Sequence, residues 1–213
     1  MLIDRYPVGP LLTNCYLVRD EKNEAVLIDP GFHPEFLLEK IREKGAAVRA
    51  VLCTHGHYDH TFAARAVCEQ TGAELWMSRA DQPLWERGGA IDRYVFEPKA
   101  SELIRAAYRR PDHLFSDGEE IRVGELCFRV VAAPGHTPGS VLFLTESAVF
   151  TGDTLMRGAV GRTDFPESLP EKMPATLRMV ASLADSLAVC PGHGDPTDMA
   201  REKRFNPFLR ESL

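Results

Sequence analysis

The sequence predicts an α+β fold: two packed β-sheets with helices on their outer faces and a helical insert over residues 79–116. Three observations predict it. Short apolar segments with strand length and period recur in both halves of the chain. Helical patterns lie between them without the strict strand–helix alternation of a wholly parallel sheet. The 213 residues contain no repeat, low-complexity stretch or linker, so one domain over residues 1–213 is expected.

The elements follow in order. Residues 11–18 and 25–29 read as an antiparallel pair that opens the first sheet. Residues 34–44 place Phe36, Leu37, Leu38 and Ile41 at helical spacing, with Gly45 where a C-cap belongs. A strand over 50–53, a helix over 60–70 and a strand over 73–77 come next. The insert reads as helices over 79–86 and 101–110, broken by Gly88-Gly89 and Pro111. The second half holds two hairpins, 120–123 with 126–131 about Gly124 and 140–145 with 148–151. A helix over 171–184, a buried strand over 187–190 and a helix over 199–204 complete the chain.

Composition narrows the function classes. The formal net charge is −6. An acidic chain lacks the basic face that nucleic acid or an anionic membrane requires. No apolar run approaches the roughly 18 residues of a membrane span. The opening Met1-Leu2-Ile3-Asp4-Arg5 lacks the order of a secretory signal. Cys15, Cys53, Cys68, Cys127 and Cys190, an odd set without CxxC spacing, read as reduced thiols. The expected location is therefore the cytoplasm.

Histidine placement carries the chemistry. His55, His57, His60, His136 and His193 fall with Asp59 and Asp153 in four glycine-flanked loops, each just after an expected strand. The strands bring these loops to one sheet edge, where Gly and Pro let the chain turn sharply. His55 and His57 are two apart in an extended loop, so they point the same way and share one metal with His136. Asp59 and His60 open the next helix, point elsewhere, and with His193 take a second metal, while Asp153 can bridge both. Imidazole and carboxylate without thiolate suit Zn, Fe, Mn or Co. Such ligand sets leave an open position, as catalysis needs. Asp59 and Asp153 are expected to serve catalysis as well as metal binding. His33 and His113 read as ordinary core or surface residues, and Cys53 and Cys190 as small buried strand residues.

The ordered set His55-x-His57-x-Asp59-His60, His136, Asp153 and His193 resembles the metallo-β-lactamase fold over nearly the whole chain. That resemblance implies a four-layer αββα sandwich with a dinuclear site at one sheet edge. The phrases Leu27-Ile28-Asp29-Pro30-Gly31, Pro134-Gly135-His136-Thr137-Pro138-Gly139, Gly161-Arg162-Thr163-Asp164-Phe165 and Asn206-Pro207-Phe208-Leu209 resemble the short, single-domain glyoxalase II-like hydrolases of bacteria. Asp29 is then implied to support the metal loops from behind, with a plain strand-end turn as the alternative. The implied activity is hydrolysis of a small anionic thioester, such as an acyl-glutathione conjugate, by a hydroxide bridging two divalent ions. Zn is the expected metal, with Fe or Mn as options. A persulfide dioxygenase is the alternative: it also carries Gly-Arg-Thr-Asp-Phe and keeps a single iron on two His and one Asp. Against it, Gly192-His193-Gly194 resembles the hydrolase form of that loop. A lactonase is a third reading. A non-enzymatic scaffold fits poorly with open metal positions. Other branches of the fold fit less well. His57 stands where the diiron flavoproteins carry Glu, and Asp153 keeps the carboxylate that true β-lactamases replace. The nucleases carry extra domains or a basic arm.

Substrate groups are harder to read. Two-domain glyoxalase II enzymes bind glutathione partly with a C-terminal helical domain, and the residues after His193 are too few for one. Arg157 and Arg162 could meet a carboxylate bidentately, with an Arg162–Asp164 pair as the structural alternative. Tyr58 either lines the cleft or packs. The stretch Pro166-Glu167-Ser168-Leu169-Pro170 departs from the glycine-rich phrase usual after this motif. The insert carries Trp85, Tyr94, Phe96, Leu103, Ile104 and Tyr108, expected as core, as a lid bordering the metal cleft, or as a contact between subunits. A monomer or homodimer is expected.

Overall fold

The computed structural model describes residues 1–90 and 110–212. Its first sheet joins β1 (Leu2–Val8), β2 (Thr13–Arg19), β3 (Glu24–Ile28), β4 (Ala47–Leu52), β5 (Glu74–Ser78) and β6 (His113–Phe115) in that spatial order. β1 to β3 pair antiparallel, and β3 to β6 pair parallel. The parallel part is connected by α1 (Pro34–Glu43) and by the short α2 (Tyr58–Thr61) with α3 (Ala64–Thr71). A further short helix, α4 (Gln82–Glu86), follows β5.

The second sheet joins β7 (Glu120–Val123), β8 (Leu126–Ala132), β9 (Val141–Leu144), β10 (Ala148–Gly152), β11 (Ala188–Pro191) and β12 (Thr197–Asp198). Its pairs are antiparallel except β10 with β11. α5 (Met173–Ala181) crosses between β10 and β11, and α6 (Met199–Phe205) and α7 (Pro207–Arg210) close the chain.

Side-chain alternation in the strands separates three apolar cores. Leu17 and Leu27 point outward to Leu37, Ile41, Val67 and Cys68 of α1 and α3. Val18, Val26 and Ile28 point inward to Phe128, Val130, Phe143 and Phe150 of the other sheet. Leu142, Val149 and Val189 point out the far side to Leu177, Val180, Met199 and Leu209. Helix, sheet, sheet and helix therefore form four layers, the αββα sandwich expected from the resemblance. Among the described residues no helix is long and apolar enough to cross a membrane.

Several elements differ from the sequence reading. β1 has no counterpart in it: the strand is a largely exposed edge, and its Asp4 and Arg5 hide the strand period. Leu11 and Leu12 belong to the β1–β2 turn rather than to β2. The helix expected over 60–70 is two helices, because Ala63 N–H leaves helical bonding for Pro30 O and Gly31 O, at 2.9 and 3.1 Å. Trp85 is core, packed with the α1–α3 layer. The helix expected over 101–110 and the aromatic and aliphatic residues Tyr94, Phe96, Leu103, Ile104 and Tyr108 lie outside the described residues, apart from Arg110.

Candidate metal centre

Four strands deliver the site. The chain leaves β4 for His55, His57, Asp59 and His60, leaves β8 for His136, leaves β10 for Asp153 and leaves β11 for His193. His57 is extended at the N-cap of α2, which turns Asp59 and His60 onto the first helical turn and away from the His55–His57 pair.

The seven side chains meet in two groups, which a third set, His55, His60 and Asp153, joins. His55, His57 and His136 bring one nitrogen each within 4.8 Å of one another; Asp59, His60 and His193 do the same with their own atoms. His57 Nδ1 lies 2.9 Å from His136 Nε2. His60 Nε2 lies 3.3 Å from His193 Nε2 and 3.5 Å from Asp59 Oδ2. Asp153 stands between the groups: Oδ1 is 3.4 Å from His60 Nε2, and Oδ2 is 3.5 Å from His136 Nε2. The approach is close enough to demand glycine at 192. A Cβ there would lie 2.4 Å from Asp153 Oδ1 and 2.7 Å from His60 Cε1.

Each imidazole is held by its outward nitrogen. His55 Nδ1 meets Thr54 Oγ1 at 3.1 Å, and that hydroxyl donates to Asp29 Oδ2. His60 Nδ1 meets Asp29 Oδ2 at 2.9 Å. His136 Nδ1 meets Arg162 O at 2.8 Å, and His193 Nδ1 meets Leu11 O at 3.1 Å. His57 is reversed, with Nε2 outward against Glu167 Oε1 at 2.8 Å. With an oxygen partner on each outward nitrogen, the ring protons can sit there and the inward nitrogens can serve as donors. Inward nitrogens brought this close together, beside buried carboxylates, suit a cation between them. His55 Nε2 and Asp153 Oδ1 are buried and find no hydrogen-bond partner among the described residues. Buried orphans of this kind are costly unless a ligand satisfies them.

Electrostatics points the same way. Burial pushes His55 well below its ordinary range and His136 below it, with neighbouring imidazoles adding to the effect. Burial opposes charge at His60 too, but Asp59, Asp153 and Asp29 outweigh it and hold His60 well above its ordinary value. His193 is raised against burial by Asp59 and Asp153. Burial works against ionisation of Asp153, yet His60 and its neighbours hold that carboxyl well below the usual range. The field between these carboxylates favours positive charge. The nitrogen and oxygen donors suit borderline or hard divalent ions, which this cluster is built to bind.

Three supporting residues were not legible as such. Thr13 Oγ1 donates to Asp59 Oδ2 at 3.0 Å. Asp81, fully buried, accepts from Gly56 N–H, Thr137 Oγ1 and Gly139 N–H at 2.8, 2.7 and 2.6 Å. It thereby ties the His55–His57 loop to the His136 loop. Glu167 is the partner of His57. Asp29 supports His60 and the Thr54 turn, as the resemblance implied.

The site opens into a cleft of about 230 Å³, bordered above the histidines by Leu11, Tyr58, Ala90, Met156, Arg162 and Phe165. The described part of the insert therefore reaches the cleft at Ala90, and Gly89 O accepts from Tyr58 N–H at 3.0 Å. Tyr58 is nearly buried, its ring edge-on to Phe32. Arg162 is bidentate to Asp164 at 2.6 and 2.7 Å and lies over the Phe165 ring. Arg157 does not line the cleft; it stands 3.6 Å from Asp195, half-exposed. His33 begins α1, and His113 stacks on Trp76, so neither joins the cluster.

Comparison with known proteins agrees with this geometry. The family model of the metallo-beta-lactamase superfamily matches residues 8–193. Hydroxyacylglutathione hydrolase GloC of Haemophilus influenzae is 34% identical over 218 residues, covering 98% of each chain. The crystal structure of BLEG-1 B3 metallo-beta-lactamase superposes with a TM-score of 0.89 at 28% identity, covering 98% of this chain and 99% of that one. TTHA1623 in a di-iron-bound form gives 0.83 at 35% identity, covering 96% and 99%. With the sandwich, the four loops that carry the candidate donors and a match of this extent, the chain belongs to the metallo-beta-lactamase superfamily.

Proposed function

We propose that the chain is a glyoxalase II-like thioesterase, one domain over residues 1–213, acting in the cytoplasm as a monomer or homodimer. His55, His57 and His136 would hold one divalent ion, Asp59, His60 and His193 a second, and Asp153 would be shared. Zn is the proposed ion, with Fe or Mn as options; the similarity to a protein solved in a di-iron form supports compatibility with iron. The observation that carries the reading is the pair of donor groups meeting at Asp153, with the orphaned His55 Nε2 and Asp153 Oδ1 aimed into the gap. Similarity to a hydroxyacylglutathione hydrolase supports the substrate class, and the buried free cysteines suit a reducing compartment.

Bound ions would supply Lewis acidity for the thioester carbonyl and a water ionised near neutral pH. The chain supplies the rest. Asp153 and Asp59, both kept as carboxylates, can accept a hydrogen bond from the attacking water and orient it toward the carbonyl. Leu11, Met156 and Phe165 pack the acyl group and exclude water beside the scissile bond. A leaving thiolate, with an ordinary thiol pKa of about 8.5, departs with little help. A single-iron dioxygenase would use only one donor group and leave the other without a role.

The test is a parallel panel on metal-loaded protein: an acyl-glutathione thioester, a lactone, a β-lactam and glutathione persulfide with oxygen uptake. Thiol release from the thioester well above the other rates is the expected result. Oxygen consumption with persulfide and no thioester cleavage would overturn the reading.

A further inference from the structure

Glu167 lies in the stretch Pro166-Glu167-Ser168-Leu169-Pro170, and the structure gives it a partner in the site. The Glu167 and His57 side chains are each 8% exposed, with Oε1 2.8 Å from Nε2. The carboxylate is set from two sides. Ser168 Oγ donates to His136 O at 2.7 Å, and Leu169 N–H donates to Gly135 O at 2.8 Å, which fastens residues 165–169 to the His136 loop. Phe165 stands edge-on to both His57 and His136, at 5.4 and 5.9 Å. From this anchored turn Glu167 reaches across to His57, the one imidazole of the five whose Nδ1, rather than Nε2, faces the site.

The two halves of the site thus carry matching supports. Asp29 holds His60 in one and, through Thr54, reaches His55 in the other, where Glu167 holds His57. A ligating imidazole that donates its second N–H to a carboxylate is fixed in tautomer and ring orientation and becomes a stronger donor. We propose that Glu167 is a positioning residue for His57 and sets the metal affinity of the His55/His57/His136 half separately from the other half. The inference rests on the ligand reading given above.

The experiment is chelator-competition titration of metal-free protein with Zn²⁺, comparing wild type, Glu167→Gln and His57→Ala, with thermal melts of each metal-free form. Gln keeps the shape and an acceptor oxygen but removes the charge. Glu167→Gln should weaken one of two Zn equivalents roughly 10–100-fold and leave the other unchanged, with a melt near wild type. His57→Ala should lose that same equivalent. If His57→Ala loses one equivalent while Glu167→Gln binds both as wild type does, the Glu167 inference fails and the ligand reading stands. If His57→Ala keeps both, the ligand reading fails and takes this inference with it. Parallel weakening of both equivalents with a lowered melt would reduce Glu167 to a purely structural part and overturn the proposal. A measurement on wild type stands independently of variant folding: histidine ¹⁵N NMR of the Zn-loaded protein should show His57 protonated at Nε2 in a strong hydrogen bond, and an unprotonated Nε2 would overturn it.

Discussion

Asp81→Asn removes one charge from the buried point where two ligand loops are tied together. Asp81 Oδ2 accepts from Gly56 N–H and Thr137 Oγ1, and Oδ1 accepts from Gly139 N–H. An amide has one acceptor oxygen and one donor group. Either orientation of the substituted amide sets its NH₂ against a backbone N–H, of Gly56 or of Gly139, both buried. One unsatisfied buried donor costs about 1–3 kcal/mol, and losing a charged acceptor adds about 1 more. The expected loss is therefore about 2–4 kcal/mol, or roughly 5–15 °C in Tm for a chain of this length. Water has little room to compensate, since a Cβ on Gly139 would fall 2.6 Å from Asp81 Cγ. Thermal and urea unfolding of metal-free protein measure the loss. Because Gly56 separates His55 from His57, the variant should also weaken metal binding by that half more than by the half containing His193. A change below about 0.5 kcal/mol, the range of ordinary surface substitutions, with both affinities intact would refute the reasoning.

Further outcomes follow from other residues. Asp153→Ala should abolish turnover and weaken both metal equivalents while the three cores keep the fold. His113→Ala, on a half-exposed ring stacked against Trp76, should leave turnover near wild type; equal loss in both would contradict the ligand set. Asn206 Nδ2 donates to Met156 O and Ala159 O, so Asn206→Ala should destabilise the loop after Asp153 by about 1–3 kcal/mol without removing a metal ligand. Glu202 accepts from Gly158 N–H, Thr197, Asn206 and Arg201. Burial opposes its ionisation, but these bonds outweigh it and hold the Glu202 carboxyl below its ordinary value. A depressed carboxyl stabilises the fold above its unfolded pKa, and that contribution disappears as pH falls through the folded value. Unfolding scans between about pH 6 and 3 should accordingly show an acid limb that is shallower in Glu202→Gln.

The convergence of the candidate donors was more legible than their supports, for physical reasons. A loop dense in such donors concentrates its message: His55, His57, Asp59 and His60 are near neighbours, with Gly56 between them and an apolar strand before them, so spacing alone groups them. Asp81 and Glu167 act across 58 and 110 positions of sequence, through one side chain each, and no local pattern announces such contacts. Glu167 stood in a stretch that the sequence reading singled out, but its partner was not visible there. In the fold, buried strands such as β3 and β10 show continuous apolar runs, whereas β1 is an exposed edge whose charges obscure its period. The break between α2 and α3 is likewise tertiary, drawn by the carbonyls of Pro30 and Gly31.

The two donor groups are proposed to act together on one substrate, and one titration tests this directly. Metal-free protein is reconstituted with increasing Zn²⁺, and thiol release from an acyl-glutathione is measured at each ratio. Activity should rise to a plateau at two equivalents per chain. A plateau at one equivalent, with the second metal bound or refused without effect on rate, would contradict it.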